Sequence, residues 1–353
     1  MRKLFCRSVL MILLSAAMLF CFGSSGWSAD KVVIKMASEY NEKHPTAVNG
    51  WMPWIQDLKN KTNGGLEIQF YNPNTLVPAA EMYNAVVNGS ADMAVAASWR
   101  NFGVFPLDEV AAMPLLFNGA EAGSMTIWDL HQKYPEWQAE YKAIKPLWQH
   151  VSATLNLHTK KKEIKSVADL KGMKIIGWGA TSLNFVKLLG ANPIESSPQD
   201  TYLALERGMA DGVLCPLAPL RSFKISDATK FHTIIDLYVD TFWAGMNLNK
   251  WNSLPDPYRK ILTETTGANM ARISGKTLDT GAREDVKWLK ANGHTFYKPS
   301  KEEIAGFKTA VAPVVDKWMK DVDGRGYKNA KQIYEDTMNL AAKYSAETEG
   351  GYK

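Results

Sequence analysis

The chain has 353 residues, 46% of them hydrophobic and 22% charged, and a formal net charge of +5. This length is enough for a sizeable core and usually for two domains. The modest positive charge accompanies no nucleic-acid motif, and beyond the N-terminus no apolar run reaches membrane length, which excludes a nucleic-acid-binding protein and an integral membrane protein.

The N-terminal segment has the pattern of a signal peptide. A basic start over residues 2–7 precedes an apolar run over 8–22, which is too short for a comfortable membrane span. Small and polar residues follow this run. We therefore predict a signal peptide over residues 1–29, cleaved near Ala29, and a protein exported to the periplasm.

The cysteines are divided by this cleavage. Cys6 and Cys21 leave with the signal peptide, so Cys215 has no partner in the mature chain and the protein is expected to fold without disulfides. A lipoprotein anchored through Cys21 is the alternative, but Leu19-Phe20 is a poor sequence to precede a lipidated cysteine. Cys215 lies on an apolar strand without a protease signature, which favours a small buried hydrophobe over a nucleophile.

The first part of the mature chain alternates strands and helices. Short apolar segments predict the strands, and apolar residues on one helical face predict the helices. In chain order these are a strand over 32–36, a helix over 49–61, a strand over 66–70, a helix over 81–87 and a strand over 93–97. Such a unit binds ligands at the carboxyl ends of its strands, so Tyr40 and Trp99 should lie on one rim.

The following segments predict a hinge and a second domain. A strand over 147–157 enters the second domain and a strand over 242–248 returns from it, so several segments form the hinge. One long helix, or two in series, covers 256–292, and the tail over 301–344 is again amphipathic. The long helix contains Gly267, Gly275 and Gly281. These glycines lower its intrinsic propensity, so packing must hold it.

The segment over 169–220 is the most informative part of the sequence. A strand over 173–176 leads into a turn of glycine and hydroxyl residues over 177–182, which starts a helix that Gly190 closes. A second helix and a strand over 213–215 complete an α/β unit. Free backbone N–H groups at a helix start attract anions, so the turn either contacts the ligand or simply caps the helix.

Three motifs in this segment carry a family resemblance. They are ADLKGMKI from Ala168, LLGANPI from Leu188 and YLALERGMADG from Tyr202. In this order and spacing they resemble the solute-binding subunits of tripartite ATP-independent periplasmic (TRAP) transporters, the DctP-type family. The resemblance extends through nearly the whole chain after the leader, and the same motifs argue against a binding protein of an ATP-driven transporter.

The resemblance implies an α/β fold of two lobes, with a mixed sheet in each lobe, a hinge crossed several times and a long helix spanning both lobes. We expect lobe I over 30–153 and about 241–280, lobe II over 154–240, and C-terminal helices over 281–353 packing on lobe II and the hinge. The resemblance also implies capture of a small organic solute between the lobes and delivery to TRAP membrane permease subunits, which an ion gradient drives. We expect a monomer that needs no cofactor or metal.

The sequence departs from this family where the ligand is usually held. In TRAP subunits an arginine at the end of the strand before the turn usually grips a carboxylate in a two-pronged salt bridge, and Ile176 stands there in this chain. Asn156 occupies the position of a further arginine in sialic-acid-binding relatives, and Cys215 that of a frequent asparagine. We therefore expect an amphiphilic or aromatic solute. The alternative is an organic acid whose carboxylate is bound by backbone N–H groups, Arg100 or a lysine.

Aromatic residues stand in for the missing arginine in this prediction. A tryptophan is more often a core residue than a site residue, but several at strand ends favour a cleft that stacks on a flat ligand or encloses a cation. Polar side chains nearby would supply hydrogen bonds. The predicted ligand-binding residues are Tyr40, Trp99, Asn156, His158, Ile176, Gly177, Trp178, Ser197, Cys215, Trp243 and Asn247, with Phe242 as a further candidate.

Catalytic machinery is not visible in the sequence. The turn over 177–182 resembles part of a dinucleotide fingerprint but lacks its third glycine and its acidic partner. No nucleophile-elbow, zinc-protease or paired-cysteine motif occurs, and the six histidines are scattered. We expect a binding protein rather than an enzyme. A periplasmic enzyme and a subunit that presents its ligand to a sensor are the alternative classes.

Overall fold

The structure, a computed structural model, describes residues 31–101 and 103–352. The predicted signal peptide over 1–29, with Cys6 and Cys21, lies outside these described residues. Within them, no helix combines the length and the apolar character that crossing a membrane requires.

Two mixed β-sheets form the centres of two lobes. The first sheet contains β1 (Val32–Ser38), β2 (Leu66–Tyr71), β3 (Met93–Ala97), β4 (Ile144–Val151) and β10 (Thr241–Asn247). The second contains β5 (Asn156–Thr159), β6 (Lys174–Gly177), β7 (Asn192–Glu195), β8 (Gly212–Cys215), β9 (Phe231–Thr233) and β11 (Thr295–Tyr297). The strand orders are β2-β1-β3-β10-β4 in lobe I and β11-β9-β5-β8-β6-β7 in lobe II. This arrangement confirms the predicted two-lobed α/β fold with a mixed sheet in each lobe.

The strand directions bring several strand ends to one edge of the lobe I sheet. β1 is parallel to β2 and β3, whereas β10 is antiparallel to β3 and β4. The carboxyl ends of β1, β3 and β4 therefore meet the start of β10 at the same edge. β3 is buried along its whole length, as expected for a strand covered on both faces.

Helices cover the sheets and connect the lobes. In the first part of the chain these are α1 (Met52–Lys61), α2 (Met82–Asn88), α3 (Ala120–Lys133) and α4 (Pro135–Glu140). Lobe II contributes α5 (Gly179–Leu188), α6 (Thr201–Glu206) and α7 (Ala218–Ser222). After β10 come α8 (Leu248–Ser253), α9 (Asp256–Thr265), α10 (Ala268–Ala291), α11 (Lys301–Val311), α12 (Pro313–Gly324) and α13 (Ala330–Glu347).

The hinge contains two extended segments that lie side by side. The predicted single strand over 147–157 is wrong, because residues 152–155 leave both sheets and separate β4 from β5. The Ser152 N–H donates to the carbonyl of Asp240 at 2.8 Å, and the Leu155 N–H donates to the carbonyl of Tyr238 at 2.8 Å. These bonds tie the outgoing segment to the returning segment over 234–240, so the two crossings bend together.

The long helix α10 is the third connection between the lobes. In lobe I, Trp51 donates from Nε1 to the Ser274 hydroxyl at 3.0 Å. Towards its C-terminus the helix packs Val286 into the core of lobe II, and Asp285 pairs with Arg221 at 2.8 Å. The helix therefore spans both lobes as predicted. It is separated from α9 by Gly267, whose φ of 61° suits glycine.

One of the helix glycines explains how α10 is held. A Cβ atom on Gly275 would lie 2.6 Å from the Ala120 carbonyl oxygen and 2.6 Å from the Glu121 Cα. The backbones of α10 and α3 thus approach too closely for any side chain at this position. The same approach lets Asp279 accept hydrogen bonds from the backbone N–H groups of Ala120 at 2.7 Å and Glu121 at 2.9 Å. A neighbouring helix therefore caps the start of α3.

The C-terminal helices are divided between the lobes, which differs from the predicted packing of residues 281–353 on lobe II and the hinge. In α11, Phe307 and Val311 join the core of lobe II. By contrast, Trp318 of α12 and Ile333 of α13 lie in a cluster of lobe I. The sequence shows that these helices are amphipathic but does not specify which apolar surface receives each apolar face.

Candidate functional site

A small cavity lies between the two lobes at the hinge. It is lined by residues that follow β3, by the start of α5 and by the returning hinge segment: Ser98, Trp99, Asn101, Gly103, Phe105, Glu109, Ala112, Ala180, Thr181, Val239, Asp240 and Thr241. Its volume of about 50 Å³ suits a few water molecules. Ligand pockets of roughly 300–1,000 Å³ are usual for organic molecules, so an organic solute enters only if the lobes or the lining side chains move.

A larger depression of about 460 Å³ lies elsewhere, on the outer surface of lobe I between α3 and α13. Its lining includes Lys133 and Asp336, which pair with each other at 2.5 Å. It is open to solvent, lies within one lobe and has no aromatic ring in its lining. The interlobe cavity is therefore the better candidate site, although it is smaller.

The turn after β6 meets lobe I at this cavity. A Cβ atom on Gly179 would lie 3.4 Å from Cε3 of Trp99, so the indole of lobe I rests against the backbone of lobe II. Gly179 has a φ of 80°, which favours glycine. At Gly177, which is buried, a Cβ would lie 2.8 Å from the Ser182 hydroxyl. The two glycines thus allow the compact turn that brings the start of α5 to the cleft.

Arg100 is already engaged on the lobe I side. Its guanidinium donates from Nε to Glu39 Oε1 at 2.7 Å and also pairs through the terminal nitrogen at 2.5 Å. The second Glu39 oxygen accepts the Ala97 backbone N–H at 2.9 Å. The guanidinium carbon lies 4.4 Å from the centroid of the Trp99 ring. Arg100 therefore neutralises Glu39 and covers one face of the indole.

An aromatic cluster surrounds Tyr40 at the end of β1. The Tyr40 ring stacks on His44 at 4.0 Å and lies 5.2 Å from the ring of Phe242. His150, at the end of β4, stacks on Phe242 at 5.0 Å. His150 is fully buried and, among the described residues, neither of its ring nitrogens has a hydrogen-bond partner. Burial lowers the pKa of His150 to about 3, so the ring is neutral at pH 7.

Asp240 supplies a carboxylate to the cavity. Its backbone is fixed to the other hinge segment, because its N–H donates to the Ser152 hydroxyl at 3.0 Å and its carbonyl accepts the Ser152 N–H. Burial and the nearby Glu39 carboxylate raise the pKa of Asp240 to about 7. Burial, with both of these carboxylates close by, also raises the pKa of Tyr40. Asp240 therefore brings an acidic group from the hinge to a cavity that Trp99 and Phe105 also line.

Trp178, a predicted ligand contact, is turned into lobe II. Its Nε1 donates to the Thr201 hydroxyl at 3.0 Å, and its ring packs beside the cluster that contains Ile176 and Cys215. Ser197 also lies in this part of lobe II, where its hydroxyl accepts the Asp200 N–H at 3.1 Å at the start of α6. The ring of Trp178 thus joins β6 to α6 instead of lining the cavity.

Two predicted residues of β10 lie away from the cavity. Trp243 is fully buried in the lobe I core and packs against Tyr83 and Phe105. Asn247 is at the far end of the strand, where its Oδ1 accepts the Lys250 N–H at 2.9 Å and caps α8. The predicted ligand contacts of these two side chains are not supported. Phe242, on the opposite face of β10 from Trp243, belongs to the aromatic cluster instead.

Residues at the family's usual ligand positions serve the core and the hinge. Ile176 and Cys215 are fully buried in lobe II, and burial raises the pKa of the Cys215 thiol well above its ordinary value. Asn156 is also buried, and its Oδ1 accepts the backbone N–H groups of Ile235 and Asp236, each at 2.8 Å. Asn156 therefore ties the start of β5 to the returning hinge segment, which the sequence did not reveal.

His158 belongs to a chain of three histidines. Its Nε2 lies 3.0 Å from the Cys215 carbonyl, its Nδ1 lies 2.9 Å from Nδ1 of His232, and Nε2 of His232 lies 2.9 Å from Nδ1 of His294. Since the carbonyl can only accept, each histidine must donate in the same direction along the chain. Burial lowers the pKa of His158 to about 4; burial and the adjacent His158, His294 and Lys230 lower that of His232 to about 2. His158 is therefore a neutral structural residue of lobe II.

Of the predicted residues, Trp99 lines the interlobe cavity, the turn that begins at Gly177 reaches it through Ala180 and Thr181, and Tyr40 lies in the aromatic cluster with Phe242. The structure adds Asp240, which the sequence prediction missed. Asp240 falls in an irregular segment before β10, and no motif or periodicity marks it. Only the pairing of the two hinge segments determines that this residue lines the cavity.

Comparisons with known proteins agree with this architecture. A profile described as "Bacterial extracellular solute-binding protein, family 7" (DctP) matches residues 36–321. The chain is 24% identical over 209 residues to the 2,3-diketo-L-gulonate-binding periplasmic protein YiaO of Escherichia coli, covering 59% of this chain and 64% of that protein.

Solved structures of similar fold extend over most of the chain. A TRAP solute-binding protein from Rhodoferax ferrireducens, in complex with copurified benzoate, has a TM-score of 0.83 and 27% identity, covering 90% of this chain and 99% of that one. A marine metagenome TRAP solute-binding protein specific for aromatic acid ligands, with bound 3-hydroxybenzoate, has a TM-score of 0.82 and 26% identity, covering 89% and 99%.

Proposed function

This chain belongs to bacterial extracellular solute-binding protein family 7, the DctP family of TRAP solute-binding proteins, and on this basis we propose that it captures an aromatic or amphiphilic organic solute between its lobes. The observation that carries this proposal is the contact of Trp99 with the turn at Gly179, across the cavity at the hinge. A flat solute that enters there would replace the Gly179 backbone as the partner of the indole face.

The absence of the usual arginine supports an aromatic solute over a simple carboxylic acid. Ile176 is fully buried in the lobe II core, so this position offers neither charge nor a hydrogen bond. Arg100, the displaced cation suggested by the sequence, is paired with Glu39. The benzoate and 3-hydroxybenzoate complexes of the two similar structures support the aromatic part of the proposal.

We also propose that the protein is exported by its signal peptide, acts in the periplasm as a monomer, and delivers its solute to TRAP permease subunits. Solute bound between the lobes favours the closed state by its differential affinity for that state. The paired hinge segments over 152–155 and 234–240 would bend together as the lobes close. The permease would recognise the closed form.

A thermal-shift screen of the mature protein tests the solute class. The panel contains benzoate, 3-hydroxybenzoate, aromatic amines, aromatic amino acids and short aliphatic dicarboxylates. A ligand present at a hundredfold excess over its Kd stabilises by about 2.7 kcal/mol, so aromatic compounds should raise the Tm by roughly 5 °C. A panel in which only aliphatic dicarboxylates raise the Tm would contradict the proposal.

Two tryptophan variants then locate the contact. Trp99→Ala should weaken binding of the aromatic hit by about 30-fold, since a well-buried aromatic contact contributes roughly 2 kcal/mol. Trp178→Ala is the matched control: its indole is bonded to Thr201, so the Tm should fall while the affinity changes less than threefold. The reverse pattern, with Trp178 decisive and Trp99 neutral, would place the solute elsewhere.

A further inference from the structure

The interlobe cavity contains a carboxylate that no cation neutralises. Asp240 lines the cavity together with Trp99 and Thr241, and its backbone is held by Ser152 from the other hinge segment. Within residues 31–101 and 103–352, its side chain forms no ion pair, and the charge that acts on it is the repulsive one of Glu39. The backbone of Asp240 is thus fixed at the cleft, and its carboxylate has no partner of opposite charge among the described residues.

The other carboxylates near this cavity each have a cation close by. On the lobe I side Arg100 is held by Glu39, and Arg325, which donates to the carbonyl of the lining residue Gly103 at 3.2 Å, is the cation that acts most strongly on Glu109. Among the described charged groups, Asp240 is thus the cavity carboxylate on which no cation acts. A ligand carboxylate placed beside Asp240 would face repulsion in a partly desolvated site. An ammonium group or another cationic N–H donor would instead form a charge-assisted hydrogen bond with it.

Aromatic rings beside Asp240 favour the same kind of group. Arg100 already occupies one face of the Trp99 ring, with its guanidinium carbon 4.4 Å from the centroid, so Trp99 offers the solute its remaining apolar surface. Tyr40 and Phe242 lie 5.2 Å apart at the adjoining strand ends. A cation between a carboxylate and aromatic faces is held by both.

We propose that Asp240 is a specificity-determining residue that selects solutes in which a protonated amine or another cationic N–H donor adjoins an aromatic or apolar body. This inference rests on the interlobe site proposed above and narrows its substrate class. An aromatic amine and an aromatic amino acid both satisfy it. In the amino acid, the carboxylate would point away from Asp240, towards the start of α5 at Ala180 and Thr181, which line the opposite side of the cavity.

The raised pKa of Asp240, about 7, adds a pH dependence. The groups facing Asp240 are Glu39 at the end of β1, Tyr40 beyond it and Tyr238 on the same hinge segment, with Glu109 across the cavity. A bound ammonium favours the ionised form. Below about pH 7 Asp240 must lose its proton on binding, so the affinity should fall by about tenfold for each pH unit and level off above pH 7.

Isothermal titration calorimetry on the mature protein tests the proposal, with benzylamine, phenylalanine and benzoate as probes at about pH 8. At least one of the two amines should bind, and at least tenfold more tightly than benzoate. Asp240→Asn should weaken that binding by about 30-fold, the loss of a charge-assisted hydrogen bond of roughly 2 kcal/mol. Asp236→Asn is the matched control on the same segment. The Asp236 carboxylate accepts from the Thr154 hydroxyl at 2.6 Å, so this substitution should leave the affinity for the amine unchanged.

The outcomes separate this proposal from the function on which it rests. Benzoate binding that is at least as tight as that of the amines, that Trp99→Ala abolishes and that Asp240→Asn leaves unchanged, would overturn the role of Asp240 and leave the interlobe aromatic site standing. Equal loss in both Asp240→Asn and Asp236→Asn, with a lowered Tm in each, would assign the effect to the hinge and also overturn it. Failure of both amines to bind overturns the proposal as well.

Discussion

Asp108 is the acceptor of a buried hydrogen-bond network beneath the cleft. Its Oδ1 accepts from Trp137 Nε1 at 2.7 Å and from Gln149 Nε2 at 2.9 Å. Its Oδ2 accepts from the Ser98 hydroxyl at 2.8 Å and from the Tyr141 hydroxyl at 2.5 Å. The carboxyl group is fully buried, so these donors have no access to water as a substitute. Because Ser98 lines the interlobe cavity, the network also supports the candidate site.

Asp108→Ala should destabilise the protein strongly. The substitution leaves the buried donors of Trp137, Ser98 and Tyr141 without an acceptor, while Gln149 Nε2 keeps the Tyr141 hydroxyl at 2.7 Å, and each orphaned donor costs about 1–3 kcal/mol. These costs overlap and partly relax, so we expect a loss of at least about 4 kcal/mol from a total stability of roughly 5–15 kcal/mol. At roughly 2 °C for each kcal/mol in a protein of this size, the Tm should fall by about 8 °C or more.

Asp108→Asn should destabilise the protein less than Asp108→Ala, because the donors are of two kinds. Trp137 and Gln149 can only donate through the nitrogens that face Asp108, and the amide oxygen of Asn can accept from both. The hydroxyls of Ser98 and Tyr141 can also accept, and the oxygen of Tyr141 already accepts from Gln149 Nε2 at 2.7 Å, so the two amide N–H groups can be received while the two hydroxyl protons lose their acceptor. The substitution also removes a buried charge, whose burial raises the pKa of Asp108 to about 6. The loss of stability should be about half that of Asp108→Ala, roughly 2 kcal/mol.

Urea and thermal unfolding, followed by circular dichroism at neutral pH, compare the two variants. A loss below about 1 kcal/mol for Asp108→Ala would show that the network contributes little. Equal, large losses for both variants would show that the negative charge matters, and would refute the argument based on donors and acceptors.

Two further predictions concern the packing of the long helix and the histidine chain. Gly275→Ala should destabilise the protein by about 1–3 kcal/mol, because the new Cβ meets the Ala120 backbone and the helix-propensity gain of roughly 0.5–1 kcal/mol is smaller. The control Gly306→Ala, at a helix position with open space around it, should be neutral or slightly stabilising. Equal changes of Tm for the two variants in thermal melts would contradict this prediction. His232→Gln should flatten the acid dependence of stability measured by urea unfolding from about pH 7.5 to 5, since the lowered pKa values of His158 and His232 mean that the unfolded chain binds more protons below about pH 6.5. Stability should therefore fall with decreasing pH by about 1.4 kcal/mol per unit for each such histidine, and identical slopes in variant and wild type would exclude this role.

The fold class could be predicted from the sequence because the necessary patterns are local. Alternating strands and helices, with glycine and hydroxyl turns between them, predict an α/β unit wherever they occur. The motifs from Ala168 to Gly212 then indicated the family, and through it the two lobes and the long helix. The turn at Gly177 was also predicted to face the ligand site, because strand-to-helix turns lie at the carboxyl edge of a sheet.

The assignment of individual side chains to the cleft depended on tertiary structure. Trp99, Trp178 and Trp243 all fall at predicted strand ends, yet Trp99 meets the opposite lobe, Trp178 bonds within lobe II and Trp243 lies in the lobe I core. A tryptophan carries both a large apolar surface and an N–H donor, so each of these environments satisfies it. Sequence position alone does not distinguish them.

The site residue with the most distinctive chemistry, Asp240, became visible only in the folded chain. Its segment has no regular structure, and its position is set by pairing with residues 152–155, which are distant in sequence. Local patterns determine which elements form, because propensity and periodicity act over a few residues. Which side chains share a cavity depends on how those elements cross the hinge, and that is decided by contacts between remote parts of the chain.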